Sequence, residues 1–255
     1  MICIDGSVLG RWLPVVALIA ALALGVTGSP ASAQDQAPQS PSDEDPVKDE
    51  RPPIERIDDN VYKIGNLVVD GNKREVVMPG WINMSEGVVE LLACAPGGKT
   101  HESVVVVDVE PFHLQIALLL LGLEGGESIS FQGDPATPEG DPVEIVIEWT
   151  DPKSGEMKSV RGEDFIYNVK ADRPMIHTHW VFTGSRIVDG VFVAQMEKSL
   201  VTTYHDPYTI IDNPLQTGGD DTYYEANRFL VPPVGTKVTF LVRATENASD
   251  STDEK

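Results

Sequence analysis

The chain has 255 residues and is strongly acidic, with 40 Asp and Glu residues against 19 Lys and Arg residues and a net charge of −21 at pH 7. With 41% apolar residues and two Cys residues, it is neither a wholly disordered chain, nor a polytopic membrane protein, nor a disulfide-rich miniprotein. It has no cluster of Lys and Arg to neutralise phosphates, so the composition argues against a nucleic-acid partner.

The N-terminus predicts export. Residues 12–26 form an apolar run behind Arg11, and residues 31–33 (Ala-Ser-Ala) match a cleavage site. This is the layout of a secretory signal peptide over residues 1–33, which places the mature protein in the periplasm or outside the cell. Since the run is shorter than the roughly 20 residues that span a bilayer, we expect no membrane span after cleavage. An uncleaved signal anchor is the alternative.

Composition divides the remaining chain into three parts. Residues 34–60 are rich in Pro and acids and predict a disordered linker, and residues 245–255 predict a disordered acidic tail. Residues 61–244 predict a single globular, β-rich domain, because segments rich in Val, Ile, Phe and Tyr alternate with turn residues. The predicted strands cover residues 62–70, 74–84, 87–95, 103–109, 127–132, 143–150, 157–169, 180–188, 191–203 and 236–243.

Three turn sequences predict hairpins within this domain. They are Asp70-Gly-Asn72, the longer Asp151-Pro-Lys-Ser-Gly155, and Asp189-Gly190. Gly and Asn accept the positive φ that tight hairpin turns require, and Asp and Pro favour turns of the longer type.

One segment has the pattern of a helix. Residues 111–123 begin with Pro111, continue through Leu, Ile and Ala, and can end at Gly122 or Gly125. The segment is apolar nearly all round, which is typical of a helix buried on more than one side. The predicted fold class is therefore α+β, a mainly antiparallel β-sheet or sandwich with one buried α-helix at about residues 111–123.

The densest group of polar residues follows the predicted strand that ends at Cys94. Cys94 and His101 are candidates for a thiolate–imidazole pair in which Glu102 orients the ring. A Gly-rich turn with a lysine also suits an anion. The candidate ligand-binding residues are Gly97, Gly98, Lys99 and Ser103. The alternative is a tight turn beside a buried, unreactive cysteine.

Two other segments carry candidate metal ligands. His177 and His179 lie two residues apart, so on a strand both would face one zinc ion, with His205 or Asp206 as a third ligand. The alternative is a pair of ordinary solvent-facing histidines.

Calcium is the second metal considered. Carboxylates in the loops that contain Asp206, Asp212, Asp220 and Asp221 could bind it, although their spacing departs from the EF-hand pattern and Asp-Pro and Asn-Pro favour turns. The aromatic pair Tyr223 and Tyr224 next to these acids is also compatible with a polar or carbohydrate ligand.

Several segments together resemble a known family. They are ACAPGGKTHESVVVVDVEPFHLQIALLLLGLEGG, HWVFTGS, YHDPYTIIDNP and VPPVGTKVTFLV, in that order. The chain resembles the YdjY-type domain of exported bacterial proteins over roughly residues 61–243. The resemblance implies no activity, cofactor or catalytic residue, and it directs attention to Lys99, His101, Glu102 and Ser103 as the polar part of the motif.

The sequence thus predicts an exported protein without chemistry of its own, which acts as a binding or envelope-associated structural module with an envelope protein or polymer as partner. No GxSxG, HExxH, CxxC or dinucleotide-binding pattern is present. The alternative is a metal-dependent or thiol-based enzyme that uses the Cys94/His101 or His177/His179 segments. A third hypothesis is a scaffold for partner proteins, for which an exposed apolar patch beside the helix would be the sign.

Overall fold

The computed structural model describes residues 53–245. The predicted signal peptide over residues 1–33 lies outside these residues, as do most of the predicted linker and all but the first residue of the predicted tail. Among the described residues, no helix has the length and apolar character needed to cross a bilayer.

The described chain consists mainly of short strands joined by tight turns. In chain order the strands are β1 (Ile54–Asp58), β2 (Val61–Ile64), β3 (Leu67–Asp70), β4 (Glu75–Ile82), β5 (Leu91–Cys94), β6 (Ser103–Val107), β7 (Asp141–Thr150), β8 (Met157–Arg161), β9 (Ile166–Asn168), β10 (Arg173–Pro174), β11 (Trp180–Phe182), β12 (Ile187–Val188), β13 (Val191–Phe192), β14 (Ser199–Thr202), β15 (Ile211–Asp212), β16 (Tyr224–Ala226) and β17 (Lys237–Ala244). The helices are α1 (Pro111–Leu120) and α2 (Val193–Glu197), and 3-10 turns cover Thr100–Glu102, Gly162–Phe165 and Gln216–Gly219.

Eight of these strands close into a barrel. Hydrogen bonding runs in the order β4–β17–β7–β11–β15–β14–β5–β6, and β6 pairs with the second half of β4 to complete the ring. At the closing point a Cβ on Gly80 would lie 2.7 Å from the carbonyl oxygen of Val106. Glycine at this position therefore lets β6 approach β4 closely enough to pair.

The remaining strands lie outside the ring. The first half of β4 continues into an extension formed by β3, β2 and β1, and β8 pairs with β7. β10, β9 and β16 form a small separate sheet in that order, and β12 and β13 form a two-stranded hairpin.

The predicted fold class, a mainly antiparallel sheet or sandwich with a buried helix, is wrong. The main sheet is closed, and β5 with β6 and β14 with β15 pair in parallel. Alternating apolar residues indicate that a segment is a strand, but they do not specify its neighbours or their direction. Closure depends on contacts between segments far apart in the chain, such as β4 with β17.

Several predicted strands are interrupted or absent. Residues 62–70 form the hairpin of β2 and β3, which turns at Gly65 with a φ of +56°. Residues 157–169 are divided into β8 and β9 by a 3-10 turn, and residues 191–203 are interrupted by α2. Residues 127–132 form no strand. In the first three segments the apolar pattern continues through a change of backbone direction, so the pattern overestimates strand length.

All three predicted hairpins are confirmed. Asp189 and Gly190 join β12 to β13 with φ of +50° and +80°, as a two-residue turn requires. Gly155 has a φ of +73° in the turn between β7 and β8. In the turn between β3 and β4, the Asp70 carboxylate accepts hydrogen bonds from two backbone N–H groups, and the positive φ falls on Arg74.

The helix is present, but its predicted burial on more than one side is wrong. Pro111 is its first residue and Gly122, with a φ of +79°, follows its end, as the sequence predicts. One face is buried in the core through Leu114, Ala117 and Leu118 among others, while the opposite face is exposed.

Candidate functional site

The Gly-rich turn between β5 and β6 is held in one conformation by its own residues. The Ser103 hydroxyl donates to the carbonyl oxygen of Lys99 (2.8 Å), and the Asn83 side-chain amide donates to two carbonyl oxygens of the same turn. Gly97 has a φ of +84°, and a Cβ on Gly98 would lie 2.8 Å from the Cβ of Lys198. Three of the four predicted ligand-binding residues thus shape the turn, which presents the fourth, Lys99.

Two carboxylates meet beside this turn. β5 and β6 run parallel with Leu91 opposite Ser103, so the residues that precede them, Glu90 and Glu102, lie side by side. The backbone N–H of Glu90 donates to the carbonyl oxygen of Glu102 (3.0 Å). The Lys99 ammonium lies 3.7 Å from a carboxylate oxygen of each, and the Gln132 side chain donates to Glu90 (3.1 Å). We call Glu90, Lys99, Glu102 and Gln132 the Glu90–Glu102 cluster.

The surroundings of the cluster raise the pKa of one of its carboxyl groups, that of Glu90. Burial and the neighbouring Glu102 carboxylate raise the pKa of Glu90, and Lys99 only partly opposes them. Burial and the carboxylates of Asp221, Glu90 and Asp220 also raise the pKa of the Tyr204 phenol, so the negative field extends beyond the pair. A carboxyl group with a raised pKa, as at Glu90, is suited to proton transfer.

Replacing Glu90 with Gln is expected to change how stability depends on pH. The folded-state pKa of Glu90 is raised, so its contribution to stability is complete below about pH 4.5 and is lost as pH rises through the folded-state value. The wild type should therefore lose stability relative to Glu90→Gln as pH increases above about 4.5. Urea denaturation across this range measures the difference. Glu86→Gln, at an exposed carboxylate, is the control. If the free energies of unfolding of the wild type and Glu90→Gln differed by the same amount at every pH, the expectation would be contradicted.

Glu90 is not among the site residues that the sequence predicts, and its position explains why. It lies immediately before one apolar strand, as Glu102 lies before another. The sequence indicates that Glu90 and Glu102 are close only if the two strands are assumed to be parallel, because parallel strands begin at the same edge of a sheet.

The predicted thiolate–imidazole pair requires an accessible sulfur, which the structure does not provide. Cys94 is fully buried and packs with Leu91, Val106 and Trp81 in a small cluster of its own. Burial raises the pKa of its thiol, which disfavours the thiolate. His101 is mostly exposed, and its Nε2 lies 3.6 Å from the Glu102 carboxylate. The structure thus brings His101 to Glu102 and leaves Cys94 in the core.

The four predicted metal ligands occupy different environments. His177 is exposed and bonds to the Asp164 carboxylate (2.8 Å), and His179 is exposed as well. His205 is fully buried, with its two ring nitrogens 2.7 and 2.9 Å from the carbonyl oxygens of Asp134 and Asn213. Within residues 53–245, no group of three or more His, Cys, Asp or Glu residues is arranged to hold a metal ion.

The predicted calcium ligands also have other partners. Asp212 is fully buried in β15, whereas Asp220 lies at the surface and pairs with Lys170 (2.8 Å), which lowers the pKa of its carboxyl to about 2. The Asp206 carboxylate is nearly buried and accepts from the backbone N–H of Tyr208 (2.9 Å). These contacts stabilise the loops around β15.

The exposed face of α1 is a second candidate site. Phe112, Ile116, Leu119 and Leu120 recur at helical spacing along it, and all but the half-buried Ile116 are exposed. The Phe112 ring contacts the ring of Phe192 with centroids 5.9 Å apart, which joins the helix to the β12–β13 hairpin and α2. We call this region the α1–hairpin surface; its most exposed apolar residues are Phe112, Leu119, Leu120, Ile187, Val188, Val191 and Met196.

Fold and surface together define the chain as a closed, mixed β-barrel domain with an exposed apolar helix and an acidic cluster at the start of two parallel strands. The chain belongs to the YdjY family, because the model of the YdjY domain matches residues 67–243. This match confirms the family resemblance of the sequence motifs. No curated protein and no solved structure shows a significant match to the chain.

Proposed function

We propose that this YdjY domain is a non-catalytic binding module that docks a protein partner on the α1–hairpin surface. The observation that carries the proposal is the exposure of large apolar side chains on α1 and its neighbours, among them Leu119 (51%), Leu120 (49%) and Met196 (68%). The Phe112–Phe192 contact links α1 to the hairpin, and grouped exposed apolar side chains are typical of interaction sites, whereas singly exposed ones are not.

The partner's chemistry follows from the charges around the apolar residues. Glu124, Asp189 and Glu197 are exposed next to the surface, and they form no ion pair within the described part of the chain. The whole chain carries a net charge of −21, which disfavours another acidic molecule. We therefore propose a partner with an apolar face flanked by Lys or Arg residues.

The place where this binding occurs is part of the proposal. The apolar run over residues 12–26 and the Ala-Ser-Ala site over residues 31–33 support export of the domain to the periplasm or the cell exterior. An envelope protein with a basic, partly apolar surface is then the expected partner. The acidic, Pro-rich residues 34–60 would connect the export signal to the domain.

Replacing Leu119 and Leu120 with Ser together is expected to weaken partner binding about a hundredfold or more. Burial of one leucine side chain contributes about 1.5–3 kcal/mol, and both lie on the exposed face. A photo-crosslinking residue at position 116 should capture the partner in intact cells, and the double substitution should remove the adduct while circular dichroism stays unchanged.

Two methionines provide the matched control. Met196, on the α1–hairpin surface, and Met157, on β8, are both 68% exposed. Met196→Ser should reduce the adduct and Met157→Ser should not. Equal effects of the two, the absence of any adduct, or an adduct formed only between two copies of this chain would each overturn the proposal.

A further inference from the structure

A cleft of about 300 Å³ opens between the small β10–β9–β16 sheet and the 3-10 turn over Gln216–Gly219. Pro174, Ile176 and Leu215 provide apolar walls, and Tyr224 lies against them. This volume is at the lower end of the range of about 300–1,000 Å³ that small-molecule sites occupy. The elements of this cleft are not those of the α1–hairpin surface.

The cleft is preformed on the side of Tyr224. This residue is only 3% exposed, and its hydroxyl forms a hydrogen bond with the hydroxyl of Thr217, another residue of the lining. Tyr224 lies in β16, which pairs with β9, the middle strand of the small sheet. A ligand would therefore meet a wall that is already in place, which lowers the entropic cost of binding.

Arg173 provides the cleft with a positive charge that the protein leaves uncompensated. Its guanidinium forms no hydrogen bond and no ion pair within residues 53–245, although the chain has about twice as many acidic as basic residues. By contrast, Arg161 pairs with Glu144 and Glu163, and Arg243 pairs with Glu75. A guanidinium is planar and bonds a carboxylate through two parallel N–H groups.

Asn168 adds a neutral donor to the same cleft. Its side-chain oxygen accepts hydrogen bonds from the backbone N–H groups of Lys170 (3.1 Å) and Ala171 (2.9 Å), which determines the orientation of the amide. Its NH₂ group has no acceptor in the described part of the chain. The polar rim of the cleft thus offers donors from Arg173 and Asn168, beside an apolar interior.

We propose that this cleft binds ligands in which a carboxylate is attached to an apolar body. The apolar part lies against Pro174, Ile176 and Leu215, and the carboxylate bonds to the guanidinium of Arg173. Two sources have this chemistry, a free alkyl carboxylate and the C-terminus of a peptide that ends in apolar residues. The site is independent of the docking surface proposed above.

Calorimetric titration of the full chain with paired probes tests the proposal and separates the sources. Octanoate is compared with 1-octanol, and N-acetyl-Leu-Leu with its C-terminal amide. At least one carboxylate should bind at least about tenfold more tightly than its neutral counterpart, since a charge-assisted hydrogen bond is lost with the charge. The probe that binds identifies the source.

Substitutions of residues that line the cleft test whether the probes bind there. Arg173→Gln should weaken the carboxylate about tenfold or more and leave the neutral probe unchanged, whereas Ile176→Ser should weaken both. Arg228→Gln is the matched control, because Arg228 is an exposed arginine that lies over the Phe229 ring and lines a different cleft. The proposal is overturned if neither carboxylate binds with a Kd below about 1 mM, if charged and neutral probes bind equally, or if Arg228→Gln has the effect of Arg173→Gln.

Discussion

Replacing Asp212 with Ala is expected to lower the free energy of unfolding at pH 4, where the buried Asp212 carboxyl is protonated, by about 3 kcal/mol. Asp212 is fully buried in the barrel strand β15. Its carboxyl oxygens accept hydrogen bonds from the Thr202 hydroxyl (2.8 Å) and from the backbone N–H groups of Asn213 (2.8 Å) and Asp206 (3.3 Å). Alanine would leave these donors unsatisfied in a site that water does not reach, and buried unpaired donors are costly.

Urea denaturation measures this loss, and Thr202→Val provides a comparison. The valine removes one of the three donors and leaves the carboxyl in place, so its effect should be no more than about half that of Asp212→Ala. If Asp212→Ala changed the free energy of unfolding at pH 4 by less than about 1 kcal/mol, the network would not contribute to stability as its geometry indicates.

The pH dependence of the same site has a definite sign. Burial raises the pKa of Asp212 to about 8, against the three hydrogen-bond donors that favour the charged form. A folded-state pKa above the unfolded value of about 4 means that the contribution to stability is complete below pH 4 and is lost as pH rises toward 8. The wild type should therefore lose stability relative to Asp212→Asn over this range. A constant difference between the two at all pH values would contradict the expectation.

Replacing Glu163 with Ala is also expected to cost about 3 kcal/mol. Glu163 is fully buried, and one carboxylate oxygen accepts hydrogen bonds from the Arg161 guanidinium and the Thr178 backbone N–H, both at 2.9 Å. Removing the carboxylate leaves the largely buried guanidinium with less compensation, although Glu144 remains paired with it. Breaking a buried ion pair from one side is more costly than breaking an exposed pair, because the other charge stays out of water.

Glu156→Ala is the matched control for this prediction. Glu156 pairs with Lys158 at 2.9 Å, the same distance, but the side chains of Glu156 and Lys158 are 68% and 42% exposed. Exposed pairs contribute from nothing to about 1 kcal/mol, so thermal or urea denaturation should separate the two variants clearly. Similar small losses in both would show that the Arg161–Glu163 pair is not a stabilising contact of the fold.

Both residues lie where sequence reasoning was least informative. The sequence singles out Asp212 only as a calcium ligand, because its loop is rich in acids, and Glu163 falls within residues 157–169, for which the sequence predicts a single strand. Burial of a carboxylate depends on what surrounds it. Neither the Thr202–Asp212 bond nor the Arg161–Thr178 environment can be deduced from residue type or spacing.

Local features of the chain were predicted correctly from the sequence. Pro111 and Gly122 mark the ends of α1, and Asp189-Gly190 forms the β12–β13 hairpin, because a fixed φ, a missing N–H or a positive φ acts within a few residues. The family was also evident from the sequence motifs, and the match over residues 67–243 confirms it.

Only the tertiary structure decided which strands became neighbours and which surfaces stayed exposed. The parallel pairing of β5 with β6 brings Glu90 to Glu102, and closure at Gly80 turns the sheet into a barrel. The outer face of α1 is as apolar as a buried one, and it is exposed because no other described segment packs over it. Such outcomes depend on contacts between residues far apart in the chain, whereas composition and periodicity report only what neighbouring residues favour.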